Sequence, residues 1–346
     1  MTEFIHKAHV YKKQIITPDW FVSEKLDGRY FLWDGGVTIG MNTKDICWAN
    51  IAKDKKETFS TGLWSSLGKV VYAPTFIINQ LKQYPYLLEG ELYLGRGRFQ
   101  ECMSITKPTV NVNIESWKDI KLKIFGAPLI RNFLMPRVIS RTGVVIPVDA
   151  REKWIKLGMK DLIDAGCGGS QFYNQYAFLS DTMPIQSAGN VELTFYKQLK
   201  NQSMQALLRE ICDAGGEGLI LRSPSDAWIP KRVNTILKIK PWIDDEGCVM
   251  GYVAGKEGKT GKMLGLIGAL IIQSVIRGKE VTFELSGMTD DERRFDPLED
   301  MIPGEKCVGL SKHFPLGKKI TFRYRELSDT GVPKEARYHR PYMEEE

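Results

Sequence analysis

The stretch FVSEKLDGRYFLWDGG, residues 21–36, carries the pattern that decides the fold. Its Asp27-Gly28 pair is a strong signal for a chain reversal between two β-rich runs. Lys25 is therefore predicted at the end of a strand, beside a turn, where its side chain can point into a cleft. A lysine that is desolvated or placed beside another cation becomes a nucleophile. A solvent-exposed lysine on a hairpin is the alternative that this stretch alone leaves open.

Length and composition indicate a soluble, two-domain protein. The 346 residues are too many for one ordinary core, and the hydrophobic content of 43% and charged content of 26% are typical of globular proteins. The N-terminus lacks the apolar segment of a signal peptide, and no run approaches the roughly 20 apolar residues of a membrane span. Six scattered cysteines without a C-x-x-C pair favour free thiols over a zinc site or disulfides. A cytoplasmic protein is expected.

The positive charge is concentrated in the larger part of the chain. Residues 1–241 hold 32 Lys and Arg against 23 Asp and Glu, which gives +9, whereas residues 242–346 hold 16 against 19, which gives −3. A basic face suits a polyanion such as nucleic acid. A mildly basic enzyme without such a partner is the alternative.

Periodicity and turn residues predict mixed α and β structure before Pro241. The segment 202–213 has Met204, Leu207, Leu208 and Ile211 on one helical stripe. Helices are predicted over 74–84, 151–165 and 202–213, and strands over 86–94, 121–125, 138–147, 218–222 and 235–240.

The second part of the chain reads as almost entirely β. Residues 241–247 combine a proline, a charged run and a glycine, which predicts a hinge about which the second domain swings. Strands are predicted over 248–254, 266–275, 280–285 and 319–325, which fits a small β-barrel such as an OB-fold. In the last strand Ile320, Phe322 and Tyr324 are predicted to face inward. The outward basic row is suited to a phosphate backbone, although an ordinary solvated face is equally compatible; it consists of Lys319, Arg323 and Arg325.

Four separated pieces of sequence form one chemical set. They supply a nucleophile, two carboxylates able to hold a divalent cation, and two further cations. Transfer of a nucleotidyl group from a triphosphate needs such a set, because the nucleophile attacks the α-phosphorus while Mg²⁺ and lysines stabilise charge on the phosphate oxygens. An aromatic side chain such as Phe125 is suited to gripping a purine. The pieces are Lys25 with Asp27-Gly28, Glu91, Glu217, and Lys238 with Lys240.

In this order the pieces resemble the covalent nucleotidyltransferases: ATP-dependent DNA ligases, RNA ligases and mRNA capping enzymes. The family order is K-x-D-G, a D/E-G-E strand, an aromatic residue, E-G-hydrophobic and K-x-K. Further matches resemble the small two-domain DNA ligases without accessory domains; they are residues 23–28, 33–35, 95–99, 263–265, 286–294 and 322–341.

The resemblance implies an α+β protein in two parts. A nucleotidyltransferase domain of ATP-grasp-like adenylation type is expected at 1–241 and an OB-fold β-barrel domain at 242–346. It implies an ATP-dependent DNA ligase that uses Mg²⁺ or Mn²⁺ and seals nicks in duplex DNA as a monomer, in repair, replication or recombination. Lys25 is then the catalytic residue that takes AMP. The implied nucleotide-binding residues are Arg29, Glu91, Phe125, Glu217, Lys238 and Lys240, the metal ligands Glu91 and Glu217, and the DNA-binding residues Arg232, Lys319, Arg323 and Arg325.

The sequence departs from the family pattern at three places. Tyr30 stands where the family usually has arginine, residues 40–43 replace the usual S-R-x-G, and the C-terminal R-x-D-K is replaced by a segment with Arg337 and Arg340. These departures concern substrate binding more than lysine adenylation. An RNA ligase or capping-type enzyme is one alternative, which the ligase-like C-terminal segment disfavours, and a non-catalytic nucleic-acid-binding module is another.

Overall fold

The computed structural model describes residues 5–50, 58–108, 110–133, 171–256, 265–298, 302–328 and 330–342. The chain divides into two units, Met1–Lys240 and Pro241–Glu346. The division falls one residue before the boundary expected from the sequence. The predicted strand at 138–147 and helix at 151–165 lie outside the described residues, as do two residues of the 263–265 match.

The first unit contains two five-stranded sheets. The first sheet consists, in spatial order, of β1 (Lys7–Val10), β10 (Arg232–Ile239), β9 (Leu219–Arg222), β2 (Phe21–Glu24) and β8 (Lys197–Gln198). The second sheet consists of β4 (Leu63–Ser65), β3 (Arg29–Asp34), β5 (Leu87–Tyr93), β6 (Lys121–Gly126) and β7 (Val191–Leu193). The strands predicted over 86–94, 121–125, 218–222 and 235–240 are confirmed.

Helices in the described part of this unit follow the apolar periodicity. The helices predicted over 74–84 and 202–213 are confirmed, and the second begins at an N-cap, Ser203, whose hydroxyl accepts from the Ala206 amide at 3.4 Å. The helices are α1 (Thr75–Leu81), α2 (Phe99–Thr106), α3 (Ile130–Phe133), α4 (Phe172–Thr182) and α5 (Met204–Asp213), with 3₁₀ turns at Thr43–Asp45 and Ser116–Asp119.

The segment that contains Asp27-Gly28 differs from the expected reversal. Strand β2 pairs with β8 and β9, whereas β3 pairs with β4 and β5, so the chain crosses from one sheet to the other. Gly28 is required by a close approach, because a Cβ there would lie 2.3 Å from the carbonyl oxygen of Leu92 in β5. Lys25 is therefore at the crossover between the two sheets rather than on a hairpin.

The second unit is built on one antiparallel sheet. In spatial order it contains β13 (Lys279–Leu285), β12 (Ile267–Ile276), β11 (Ile243–Ala254), β17 (Lys319–Tyr324) and β20 (Arg337–Pro341), and β15 (Lys306–Cys307) also pairs with β11. Short pairs join β14 (Asp296–Pro297) to β16 (Gly309–Leu310) and β18 (Glu326–Leu327) to β19 (Pro333–Lys334). Ile320, Phe322 and Tyr324 are buried as predicted. Within the described residues the sheet is open and does not close into the expected barrel.

The hinge predicted over 241–247 is wrong for most of its length. Strand β11 begins at Ile243, and residues 243–247 pair with Tyr324–Ile320 of β17. The charged run is compatible with a strand because none of its side chains is buried at this end of β11, and Glu246 pairs with Lys319 at 2.7 Å. A charged run therefore gave a misleading signal for a linker.

Two expectations from composition can be compared with the described residues. No helix among them is long and apolar enough to cross a membrane. Five of the six cysteines fall in this part of the chain and are not in disulfides, as predicted; they are Cys47, Cys102, Cys212, Cys248 and Cys307.

Candidate active site

Three neighbouring strands bring together two lysines and a glutamate. The amide of Lys25, directly after β2, donates to the carbonyl of Gly218 at 2.8 Å. The carboxylate of Glu217 forms ion pairs with Lys25 through one oxygen and with Lys240 through the other. Gly218 has φ +151°, and a Cβ there would lie 2.1 Å from the Ile239 carbonyl oxygen, so glycine is needed to hold β9 this close to β10.

Glu91 is the second carboxylate of this site. Burial raises the pKa of Glu91 to about 8, with a further contribution from the nearby carboxylates of Glu217 and Asp27, against the opposing effects of Lys25 and the Gly28 amide. Glu91 therefore lies in the same electrostatic cluster as the lysine.

A cavity of about 380 Å³ is lined by residues of both sheets of the first unit. Five residues chosen from the sequence line it: Lys25, Glu91, Phe125, Arg232 and Lys238. In β10, Leu237 packs into the hydrophobic core, whereas the next residue, Lys238, lines the cavity. The predicted set is thus largely brought together around one cavity.

One aromatic pair forms part of the cavity wall. The rings of Tyr30 and Phe125 lie 6.2 Å apart between centroids, at an interplanar angle of 51°. Thr194, 7% exposed, also lines the cavity, and its hydroxyl has no hydrogen-bond partner within the described residues. An unpaired buried hydroxyl is costly, so this wall suits a ligand with both an apolar face and polar atoms.

Arg29 is not brought to the cavity. Its guanidinium donates to the carbonyl of Thr106 at the end of α2, and burial lowers its pKa. Arg29 begins β3, directly after the crossover at Gly28, and its side chain does not line the cavity. The order of motifs along the chain does not show this. The assignment of Arg29 to nucleotide binding therefore gains no support from the geometry.

The basic row of the second unit is partly occupied by local contacts. Lys319 pairs with Glu246 at 2.7 Å and lies 3.8 Å from the ring centroid of Tyr342. The guanidinium groups of Arg323 and Arg325 lie 5.3 and 3.6 Å from the ring centroid of Trp242. These two arginines are half-buried, and Lys319 is exposed.

Sequence reasoning missed a buried charge network behind the cavity. Arg222, 2% exposed, donates to Asp226 at 2.9 Å and to the Phe125 carbonyl at 2.8 Å, and lies 3.7 Å from Glu89. Its guanidinium also lies 4.2 Å from the ring centroid of Phe172. The network joins the two sheets. The available signals were an arginine ending an apolar strand and the first glutamate of the E-G-E strand.

The two carboxylates of that network, Glu89 and Asp226, have further hydrogen-bond partners. Glu89 accepts from Tyr30 at 3.2 Å and from the Trp228 indole at 2.9 Å. Burial opposes ionisation of Asp226, but Arg222, His6 and a hydroxyl partner outweigh it and hold its pKa well below the usual range. Phe125 and Tyr30, which line the cavity, are therefore both hydrogen-bonded to this buried network, Phe125 through its carbonyl and Tyr30 through its hydroxyl.

The carboxylates suit a divalent cation that arrives with a phosphate ligand. The described residues contain no group of three or more His, Cys, Asp or Glu side chains able to hold a metal. Mg²⁺ commonly uses one or two carboxylates together with substrate phosphates and water. Glu217 and Glu91 fit that mode; Glu217 is paired with two lysines, and burial raises the pKa of Glu91.

Comparisons with known proteins agree with this architecture. Residues 257–341 match the family model of the DNA ligase OB-like domain. The chain is 23% identical over 333 residues to a DNA ligase of Haemophilus influenzae, covering 96% of this chain and 90% of that protein. A DNA ligase of African swine fever virus is 27% identical over 157 residues, covering 42% of this chain and 35% of the viral protein.

A solved structure extends the likeness to the fold. A structure from a study of Lig E DNA ligases, which describes DNA binding with a minimal scaffold, aligns with a TM-score of 0.61 at 20% identity and covers 98% of both chains. The chain shares the fold of this ligase structure, and its second unit carries the match to the DNA ligase OB-like domain. The relatives found are DNA ligases, and the resemblance to DNA ligases predicted from the sequence is confirmed.

Proposed function

We propose that this chain is an ATP-dependent ligase that seals nicks in duplex DNA, acting as a monomer through a lysine–AMP and a 5′-adenylated DNA intermediate. The observation that carries the proposal is the position of Lys25 on the wall of the cavity, with its ammonium paired to Glu217. A nucleophilic lysine, a purine-sized cleft and phosphate-binding cations are the parts that this chemistry needs.

In the first step Nζ of Lys25 forms a P–N bond to the α-phosphorus of ATP while the bond to the β-phosphate breaks and pyrophosphate leaves. The ammonium must lose a proton before it attacks, so its ion pair with Glu217 describes the resting state. Lys238 and Lys240 neutralise the phosphate oxygens. Phe125 and Tyr30 provide the apolar face for the adenine.

Two carboxylates and the unpaired hydroxyl of Thr194 complete the proposed nucleotide site. Glu217 and Glu91 are the residues that would hold Mg²⁺ beside the phosphates, where the ion supplies charge stabilisation for the displaced oxygens. Thr194 would donate to or accept from a polar atom of the nucleotide. Its unpaired hydroxyl is satisfied in this way.

The two later steps act on DNA. The 5′-phosphate at the nick attacks the lysine-bound AMP and releases Lys25, and the 3′-hydroxyl then attacks the adenylated phosphate and releases AMP. Arg232 at the cavity, and Arg323, Arg325 and Lys319 in the second unit, are proposed DNA-binding residues, because most contacts to a duplex go to its phosphates.

Incubation with labelled ATP or GTP, followed by nicked DNA or nicked RNA, tests this function. Label transfer from ATP to protein and then to the 5′ end of nicked DNA, ending in sealed product, is the expected result. Acceptance of GTP with transfer to an RNA end would favour a capping-type enzyme, and sealing of RNA alone would favour an RNA ligase. Retention of DNA without any covalent nucleotide would identify a binding module instead.

A further inference from the structure

Two distant segments of the first unit contain basic residues and no carboxylates. Residues 5–17 and 227–240 together hold seven Lys and Arg and no Asp or Glu. The whole chain has 42 acidic residues, so two segments without any are unusual. The two segments are also neighbours in space, since they contain the paired strands β1 and β10.

Strand pairing places both segments at one edge of the first sheet. Strand β1 is the terminal strand and runs parallel to β10, with Lys7 opposite Arg232 and Val10 opposite Lys238. The Tyr11 amide donates to the Lys238 carbonyl at 3.1 Å, so the pairing continues to the residue before Lys12.

The charges of this basic edge are exposed and lead to the cavity. The edge is defined by Lys7, Lys12, Lys13, Lys231 and Arg232, of which all but the first are exposed. Arg232 is held in place by a 2.6 Å hydrogen bond to the Ala8 carbonyl, and it lines the cavity together with Lys7. The edge and the proposed nucleophile therefore open onto the same space.

We propose that the basic edge binds the phosphate backbone of the duplex beside the nick and directs it past the cavity that contains Lys25. The inference rests on the proposed function and assigns to it a DNA-contacting surface in the first unit. Binding to phosphates releases condensed counterions, so a carboxylate-free row of lysines is favourable whatever the base sequence. The eight residues of β10 span about 26 Å at about 3.3 Å per residue, which is long enough for several phosphates.

Several basic residues elsewhere on the first unit are paired with carboxylates. Lys118 pairs with Glu115, and Lys121 and Lys123 share Glu192. Such pairs present little net charge to a polyanion. Neither segment of the basic edge contains an acidic residue, and four of its five basic residues are exposed.

The test compares two double variants of equal charge. Lys12→Gln/Lys13→Gln removes two charges from the edge, while Lys69→Gln/Lys82→Gln removes two exposed charges that do not line the cavity. Affinity for a nicked duplex is measured at several salt concentrations for both variants and for the parent protein, with thermal unfolding to confirm that each is folded.

The edge variant is expected to lower the salt slope of log K by about 1.8, since each neutralised phosphate contributes about 0.9. At about 0.1 M salt this corresponds to a loss of several tens of fold in affinity. The control variant should match the parent protein. Equal slopes and affinities for the two double variants would overturn the proposal.

The same samples separate this inference from the proposed function. Failure of the parent protein to take AMP or to seal nicks would refute the function itself. If the parent protein seals nicks while Lys12→Gln/Lys13→Gln binds and seals like the control, only the basic edge is refuted.

Discussion

Lys25 and Glu217 are 192 residues apart in sequence, and their side chains form an ion pair. The other oxygen of Glu217 pairs with Lys240. One carboxylate thus links the loop after β2, the turn before β9 and the residue after β10. Through this link Glu217 contacts both the proposed nucleophile and the proposed phosphate-binding lysine.

Glu217→Gln is expected to slow the reaction with ATP on the order of 10²-fold, the usual cost of removing one electrostatic group from such a site. The amide keeps the shape but loses the charge that holds both lysines. Self-adenylation rates over a range of Mg²⁺ concentrations measure the effect. Glu115→Gln, on an exposed ion pair, serves as the control. A variant with the parent rate and Mg²⁺ dependence would make Glu217 a purely structural residue.

Glu91→Gln is expected to stabilise the protein more at pH 8 than at pH 5. The pKa of Glu91 rises from 4.5 to about 8 on folding, mainly through burial. Between these values the unfolded chain has released a proton that the folded protein retains, so the free energy of unfolding falls as pH rises. Removing the group should add roughly 1–3 kcal/mol at pH 8. Urea unfolding at both pH values measures it, and a gain of equal size at pH 5 would contradict the assignment.

Arg222→Met is expected to lower the free energy of unfolding by about 3–5 kcal/mol, because it leaves the buried carboxylates of Glu89 and Asp226 without their shared cation. It should also raise the KM for ATP, since the Phe125 carbonyl no longer accepts a hydrogen bond from the guanidinium. Arg209→Met, on the exposed side of α5, is the control for removal of a charge. Parent-like stability together with a parent-like KM would show that the network is dispensable.

Arg323→Ala/Arg325→Ala is expected to weaken binding of a nicked duplex and to lower its salt slope by about one unit for each phosphate that the variant no longer neutralises. Both arginines lie against Trp242, so Trp242→Ala is the companion variant that disturbs their packing and keeps their charge. An unchanged salt slope in the double variant would mean that this row is an ordinary solvated face.

Local patterns predicted much of the fold. Strands β5, β6, β9 and β10 and helices α1 and α5 follow from apolar periodicity and turn residues, which act over a few positions. Strand pairing is non-local, so the sequence could not show that β2 and β3 belong to different sheets. The same limit hid the strand over 243–247, whose charged residues become compatible with a sheet only beside β17.

The residues of the candidate site could be predicted from the sequence better than their arrangement in space. Motif order identified Lys25, Glu91, Phe125 and Lys238, which line one cavity. Arg29, also chosen from motif order, does not line this cavity, and its guanidinium donates to the Thr106 carbonyl. The network of Arg222 was missed because its partners come from strands and loops that are distant in sequence, and no spacing relates them.

The most direct measurement is the mass of the peptide that contains Lys25 after incubation with ATP and Mg²⁺. The account predicts an increase of one AMP on Lys25 in the parent protein. It predicts no adduct in Lys25→Arg, whose guanidinium stays protonated, although that variant should still seal a nick already carrying a 5′-adenylate. An adduct on another residue, or ATP-dependent sealing by Lys25→Arg, would contradict the account.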